Sequence, residues 1–132
     1  MSEIESLKFD IIKNFGTPCA VLDLNVLEAN ITRVQKLCDK AGVSNRPHIK
    51  THKSGEIARM QLNAGASGVT CQKLGEAEVM ASAGVKDILV ATNVLGAAAS
   101  GALAALQKQI SLKVCADNTY SIKAYSDAAR DA

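Results

Sequence analysis

Residues 74–92 read LGEAEVMASAGVKDILVAT, and this stretch decides the fold. Leu74 to Ala83 reads as a helix and stops at Gly84, the residue type that most readily takes the left-handed conformation closing a helix. Val85 to Thr92 then runs apolar for the length of a short buried strand. The same order occurs twice upstream, where Ala41-Gly42 leads into Val43 to Lys50 and Ala64-Gly65 leads into Ala66 to Gln72. Before the first of these, Leu24, Leu27, Ile31, Val34 and Cys38 keep the three-and-four spacing of an amphipathic helix over Asp23 to Cys38, with Asn25 and Glu28 resembling a capping box. Ser54 caps a second helix through Ile57, Ala58 and Leu62. Downstream follow a helix from about Gly96 to Gln107, a strand Ser111 to Ala116, and a helix capped by Asn118 or Asp117.

Alternation of this kind predicts an α/β fold with parallel strands, in a doubly wound sheet or a barrel. The polar residues favour the barrel, because Lys50 with Thr51 and His52, Gln72 with Lys73, Thr92 with Asn93, and Asp117 with Asn118 each close the C-terminal end of a strand. That rim is where barrel enzymes carry their active sites. Taken singly, such pairs are ordinary caps and loops: Asp117-Asn118 reads as the cap of the last helix and Lys73 as a solvated loop charge.

The cluster Arg46-Pro47-His48-Ile49-Lys50-Thr51-His52-Lys53 exceeds that baseline. With a side-chain period of two, Arg46, His48, Lys50 and His52 share one strand face, opposite Pro47, Ile49 and Thr51. Four such groups cannot be buried without partners, so the face must line water, a ligand or a cofactor. A lysine among cations, partly withdrawn from water, is the setting for a Schiff base with a carbonyl compound; a basic patch that binds an anion is the other reading.

Composition narrows the classes. The 132 residues are 48% hydrophobic and 21% charged, which suits a globular domain rather than disorder. A net charge of +2, with only Phe9, Phe15, Tyr120 and Tyr125 as aromatics, gives no nucleic-acid surface and leaves small molecules as the expected partners. Cys19, Cys38, Cys71 and Cys115 form no paired motif and read as buried structural thiols in a reducing compartment. No secretory signal is read at the N-terminus, so the cytoplasm is the expected location. The uncharged run Ile88 to Leu106 is interrupted by Thr92-Asn93, Gly96 and Ser100-Gly101, so strand, turn and helix explain it better than a membrane span.

The residues also resemble a known family, the fold-type III pyridoxal 5′-phosphate (PLP) enzymes with an alanine-racemase-like N-terminal barrel, in the branch of D-threonine aldolases and D-serine dehydratases. The resemblance rests on Thr17-Pro18, Val21-Leu22-Asp23, Leu27-Glu28-Ala29-Asn30, the whole run Arg46 to Lys53, Gln72 to Glu78 and Gly84 to Val90. It implies that Lys50 carries PLP as a Schiff base at the end of the first strand of an eight-stranded barrel, with His48, His52, Gln72 and Asn93 as cofactor contacts. It further implies that residues 1–22 form an N-terminal segment and strand belonging to a β-domain, and that residues 23–132 form about half of the barrel.

The implied activity is that of a PLP-dependent lyase acting on D-3-hydroxy amino acids. Family members are longer, so the resemblance implies that this sequence is their N-terminal portion and that the chain alone is not a competent aldolase or dehydratase. A divalent zinc or manganese ion and a homodimer are implied only for the complete parent. Within this chain His48 and His52 lack partners at ligand spacing, and no metal site is expected. The alternatives are a PLP-carrying homeostasis protein without a defined reaction, and an α/β module that binds an anion.

Overall fold

The computed structural model describes residues 3–130. Six helices, α1 (Glu3–Phe15), α2 (Leu24–Ala41), α3 (Gly55–Asn63), α4 (Leu74–Ser82), α5 (Ala97–Gln107) and α6 (Thr119–Arg130), alternate after α3 with strands β1 (Val69–Cys71), β2 (Asp87–Val90) and β3 (Ser111–Val114). The strands are parallel and stand in sequence order, β1 beside β2 beside β3. Consecutive parallel neighbours without a reversal are the arrangement of a (β/α) barrel wall, and the fold class expected from the alternation is the one observed.

Local chemistry explains the boundaries. Asp23 accepts a hydrogen bond from Val26 N–H at 3.0 Å and so caps α2, the role expected of the Asn25 and Glu28 pair, whose Asn25 lies inside the helix, past the cap. Ser54 caps α3 through Ile57 N–H, and Asn118 caps α6 through Ser121 N–H at 2.9 Å. Gly42, Gly65 and Gly84 take φ values of 66°, 119° and 95°, as the three Ala-Gly stops require.

One face of the sheet is dry. Val69, Cys71, Ile88 and Val90 are fully buried and pack with Ile49 against Ala58 of α3, Ala77 and Met80 of α4, and Leu106 of α5. The other face presents the row His48, Thr70, Leu89 and Lys113, which ends in exposed Lys113. Alternation within each strand thus gives the sheet a helix-covered side and a side that corresponds to a barrel interior.

The structure differs from the sequence reading in three places. The stretch Val43 to Lys50 is not a full strand but a single parallel bridge between His48 and Thr70. Residues 16–23 form neither helix nor strand. Residues 3–15, for which no element was expected, are helical, and Leu7, Phe9, Ile12 and Phe15 of α1 stay exposed. Of the four thiols only Cys71 is fully buried, and burial raises its pKa to about 11; Cys19 and Cys115 are exposed.

Replacing Ile88 by Ala empties space at the centre of the dry face and should lower the unfolding free energy by about 2–5 kcal/mol. Val79→Ala, at a 56% exposed position on α4, should stay within about 0.5 kcal/mol of the unaltered chain. Urea unfolding followed by circular dichroism reads both, and equal losses would refute this placement of the core.

Candidate active site

Ile49 anchors the site. Its side chain is fully buried, its N–H donates to Thr70 O at 2.9 Å, and Thr70 N–H donates to Pro47 O at 2.8 Å. His48 lies on the opposite face by alternation, and Lys50 follows at the strand end with its own N–H donating to His48 Nδ1 at 3.3 Å. That bond leaves the ring proton of neutral His48 on Nε2. The Lys50 side chain is exposed, and its amine makes no hydrogen bond or ion pair among the described residues.

The backbone then turns at once. His52 N–H and Lys53 N–H both donate to Ile49 O, at 3.2 and 2.8 Å, and Lys53 takes a left-handed φ of 50° before α3 begins. The expectation that His52 shares a strand face with His48 and Lys50 is therefore corrected: His52 belongs to the turn. Its Nδ1 accepts from Ser54 N–H at 3.0 Å, so Nε2 carries the proton of the neutral ring. That Nε2 and Gln61 Oε1 are both buried without an ideal partner, and they are of complementary character. Burial lowers the His52 pKa below its usual 6.5, and the Gln61 side chain opposes this only in part.

Two ion clusters flank Lys50. Beyond it, Glu76 pairs through Oε1 with Lys53 Nζ and through Oε2 accepts from Gln72 N–H at 2.8 Å. Its side chain is only 10% exposed, and the bond from Lys53 holds its carboxyl below the usual range. One carboxylate thus ties the turn after Lys50 to the end of β1. On the N-terminal side, Arg46 Nη1 meets Asp87 Oδ1 at 2.6 Å, and Lys113 Nζ reaches both Asp87 oxygens at 2.8 Å. The Arg46 guanidinium passes over Gly68, where a Cβ would stand 2.3 Å from Nη1 and 2.5 Å from Asp87 O. Arg46 above all keeps the Asp87 carboxyl ionised to lower pH than usual.

The fold brings Lys50, His48 and Gln72 to adjacent strand ends. Gln72 O accepts from Thr92 Oγ1 at 2.8 Å, which joins the mouths of β1 and β2. Asn93 lies farther along in the loop after β2, exposed, and that loop is held where Val94 N–H donates to Tyr125 Oη at 2.7 Å. Glu76, Gly68 and Tyr125 were not expected as site residues. Glu76 alone left a signal, as an acid three residues beyond Lys73 at a helix start.

The directions of these shifts give a two-step pH dependence. A histidine whose folded pKa is lowered stabilises the fold fully above its unfolded value; that contribution declines as pH falls from about 6.5 through the folded value. Glu76 and Asp87 have lowered carboxyl pKa values, so their contribution is intact above the unfolded carboxylate range of about 4 and is lost as pH falls through the folded values. Urea midpoints measured from pH 8 to pH 3 should show both declines. His52→Gln should abolish the upper one and leave the lower.

Known proteins resemble this chain in sequence and fold. The alanine racemase N-terminal domain family matches residues 22–132. A D-threonine aldolase of an Arthrobacter species is 40% identical over 119 residues, which are 90% of this chain and 31% of that protein. The crystal structure of D-threonine aldolase from Filomicrobium marinum superposes with a TM-score of 0.84 at 38% identity, covering 86% of this chain and 31% of that one. A cysteine-to-alanine variant of D-threo-3-hydroxyaspartate dehydratase in its metal-free form gives 0.80 at 38% identity, over 89% and 31%. The chain thus spans about a third of the length of these relatives. With the family's barrel-wall order in its sheet and the family match running from Leu22 to Ala132, the chain belongs to the alanine racemase N-terminal domain family.

Proposed function

We propose that the protein is a PLP-dependent lyase acting on D-3-hydroxy amino acids, of the D-threonine aldolase or dehydratase type, and that Lys50 is its Schiff-base lysine. The observation that carries this reading is the unpaired Lys50 amine just past the His48 bridge of the leading segment, beside the end of β1. The relatives named as aldolase and dehydratase support the same reaction class.

The donor set fits the carbonyl end of PLP. It offers one primary amine without a partner, the His48 imidazole, and the amides of Gln72 and Asn93, groups that suit an aldehyde and a heteroaromatic ring better than a hard cation. Among the described residues no three His, Cys, Asp or Glu side chains gather to hold a metal ion. The zinc or manganese that the resemblance implies is assigned, in this reading, to the part of the relatives that this chain does not match. When bound, PLP supplies an electron sink for the pair left at Cα as a bond there breaks.

The chain's own residues position that chemistry. Burial of Ile49 fixes where Lys50 leaves the sheet, and the bond from Lys50 N–H sets the His48 ring and its tautomer. His52 is kept neutral within the turn and acts here through the backbone that carries Lys50, not as a cofactor contact. The same reading takes a small D-amino acid as substrate. It places the protein in a reducing cytoplasm, which exposed Cys19 and Cys115 thiols suit, and expects a homodimer.

Titration of the purified chain with PLP, followed by borohydride reduction and peptide mapping, tests the assignment. A visible absorbance band with the label on Lys50, both absent in Lys50→Ala, is the expected result. Label spread over several lysines of the unaltered chain, or a band that survives in Lys50→Ala, would sink it.

A further inference from the structure

We infer that Glu76 determines which lysine of the turn can react with a carbonyl group, by engaging the Lys53 amine in an ion pair and leaving the Lys50 amine free. The inference deepens the proposed function and rests on it for the identity of the carbonyl compound.

Lys50 and Lys53 are three residues apart in one tight turn, both exposed, and both next to the strand mouth. Chemistry at the mouth must tell them apart. Schiff-base formation needs a neutral amine: the nitrogen lone pair forms the C–N bond, and the two N–H protons leave with the carbonyl oxygen as water, with no change of oxidation state. An amine engaged by a carboxylate must first break that ion pair before its nitrogen can attack, a step that an unpaired amine is spared.

The fold applies that difference through one side chain. Lys53 adopts a left-handed φ of 50°, costly for a residue with a Cβ, in the conformation from which its ammonium meets Glu76. Glu76 cannot follow Lys53 into solvent, because its side chain is 10% exposed and its second oxygen is bound to Gln72 N–H. Lys50 has neither the carboxylate nor any other partner among the described residues. The same ion pair also fixes the end of the turn, so Glu76 acts on Lys50 as a positioning residue.

The test compares the unaltered chain with Glu76→Gln and Glu76→Asp by two labels. Trace acetic anhydride reports amine reactivity without any cofactor site, and PLP with borohydride, which supplies the hydride that reduces the C=N bond, reports carbonyl chemistry. Peptide mapping gives the ratio of label on Lys53 to label on Lys50. Glu76→Gln keeps the shape and the acceptor for Gln72 N–H, and should raise both ratios roughly fivefold, with Glu76→Asp returning them toward the starting value. A loss of packing would not raise Lys53 selectively or be reversed by aspartate.

An anhydride ratio unchanged in a folded Glu76→Gln chain would overturn the inference. Should that variant lose its circular dichroism, the unaltered chain decides: Lys53 must be acetylated more slowly than exposed Lys73, and equal rates overturn the inference. Failure of PLP to label Lys50 in the unaltered chain counts against the proposed function instead, and leaves the anhydride ratios to decide the role of Glu76.

Discussion

Everything at the candidate site hangs on Ile49. Its side chain is taken into the dry face of the sheet, its N–H closes the only bridge between the leading segment and β1 among the described residues, and its carbonyl accepts the two N–H groups that turn the chain back. A fully buried aliphatic side chain held by three backbone hydrogen bonds has no freedom to slip by one residue. A slip would bury Lys50 among Val69, Met80 and Ile88, and the cost of an unpaired buried ammonium forbids it.

From that fixed point the two ion clusters divide the labour. Arg46, Asp87 and Lys113 cross-link three neighbouring segments on the face away from the helices, and Gly68 exists there as a gap through which a guanidinium reaches its carboxylate. Glu76 does the same at the opposite end, between the turn after Lys50 and the end of β1. Between the clusters lie the residues left without strong partners, Lys50 above all. Charge is neutralised where the ion pairs hold neighbouring segments together, and the Lys50 amine between them is left unpaired among the described residues.

A large share of the architecture was legible because it follows from local rules. The Ala-Gly stops, the Ser54 cap and the helical stripe of α4 operate within a few residues, and the bounds of α3, α4 and α5 fall close to where those signals place them. Legibility failed where a neighbour decided the outcome. Residues 43–47, Val-Ser-Asn-Arg-Pro, make no ladder: only Val43 favours a strand, and a strand exists only where another segment pairs with it. Helix α1, by contrast, was legible, since Ile4, Leu7, Ile11 and Phe15 keep three-and-four spacing, but Ile4, Leu7 and Phe15 of that stripe remain exposed among the described residues.

The sequence by itself determined the alternating α/β order, the family and Lys50 as the residue to examine, because periodicity, glycine conformation and motif spacing are properties of a contiguous stretch. Only the tertiary structure decided that the leading segment pairs through the single His48 bridge and turns after Ile49, that the His52 ring is drawn into the turn, and that Lys53 is paired while the Lys50 amine is not. Those outcomes depend on Gln61, Thr70 and Glu76, partners 9 to 23 residues away from His52, Ile49 and Lys53. No period along the chain encodes which of two lysines in one turn will meet a carboxylate; the packing of α4 against the sheet places that carboxylate, and with it the difference in reactivity.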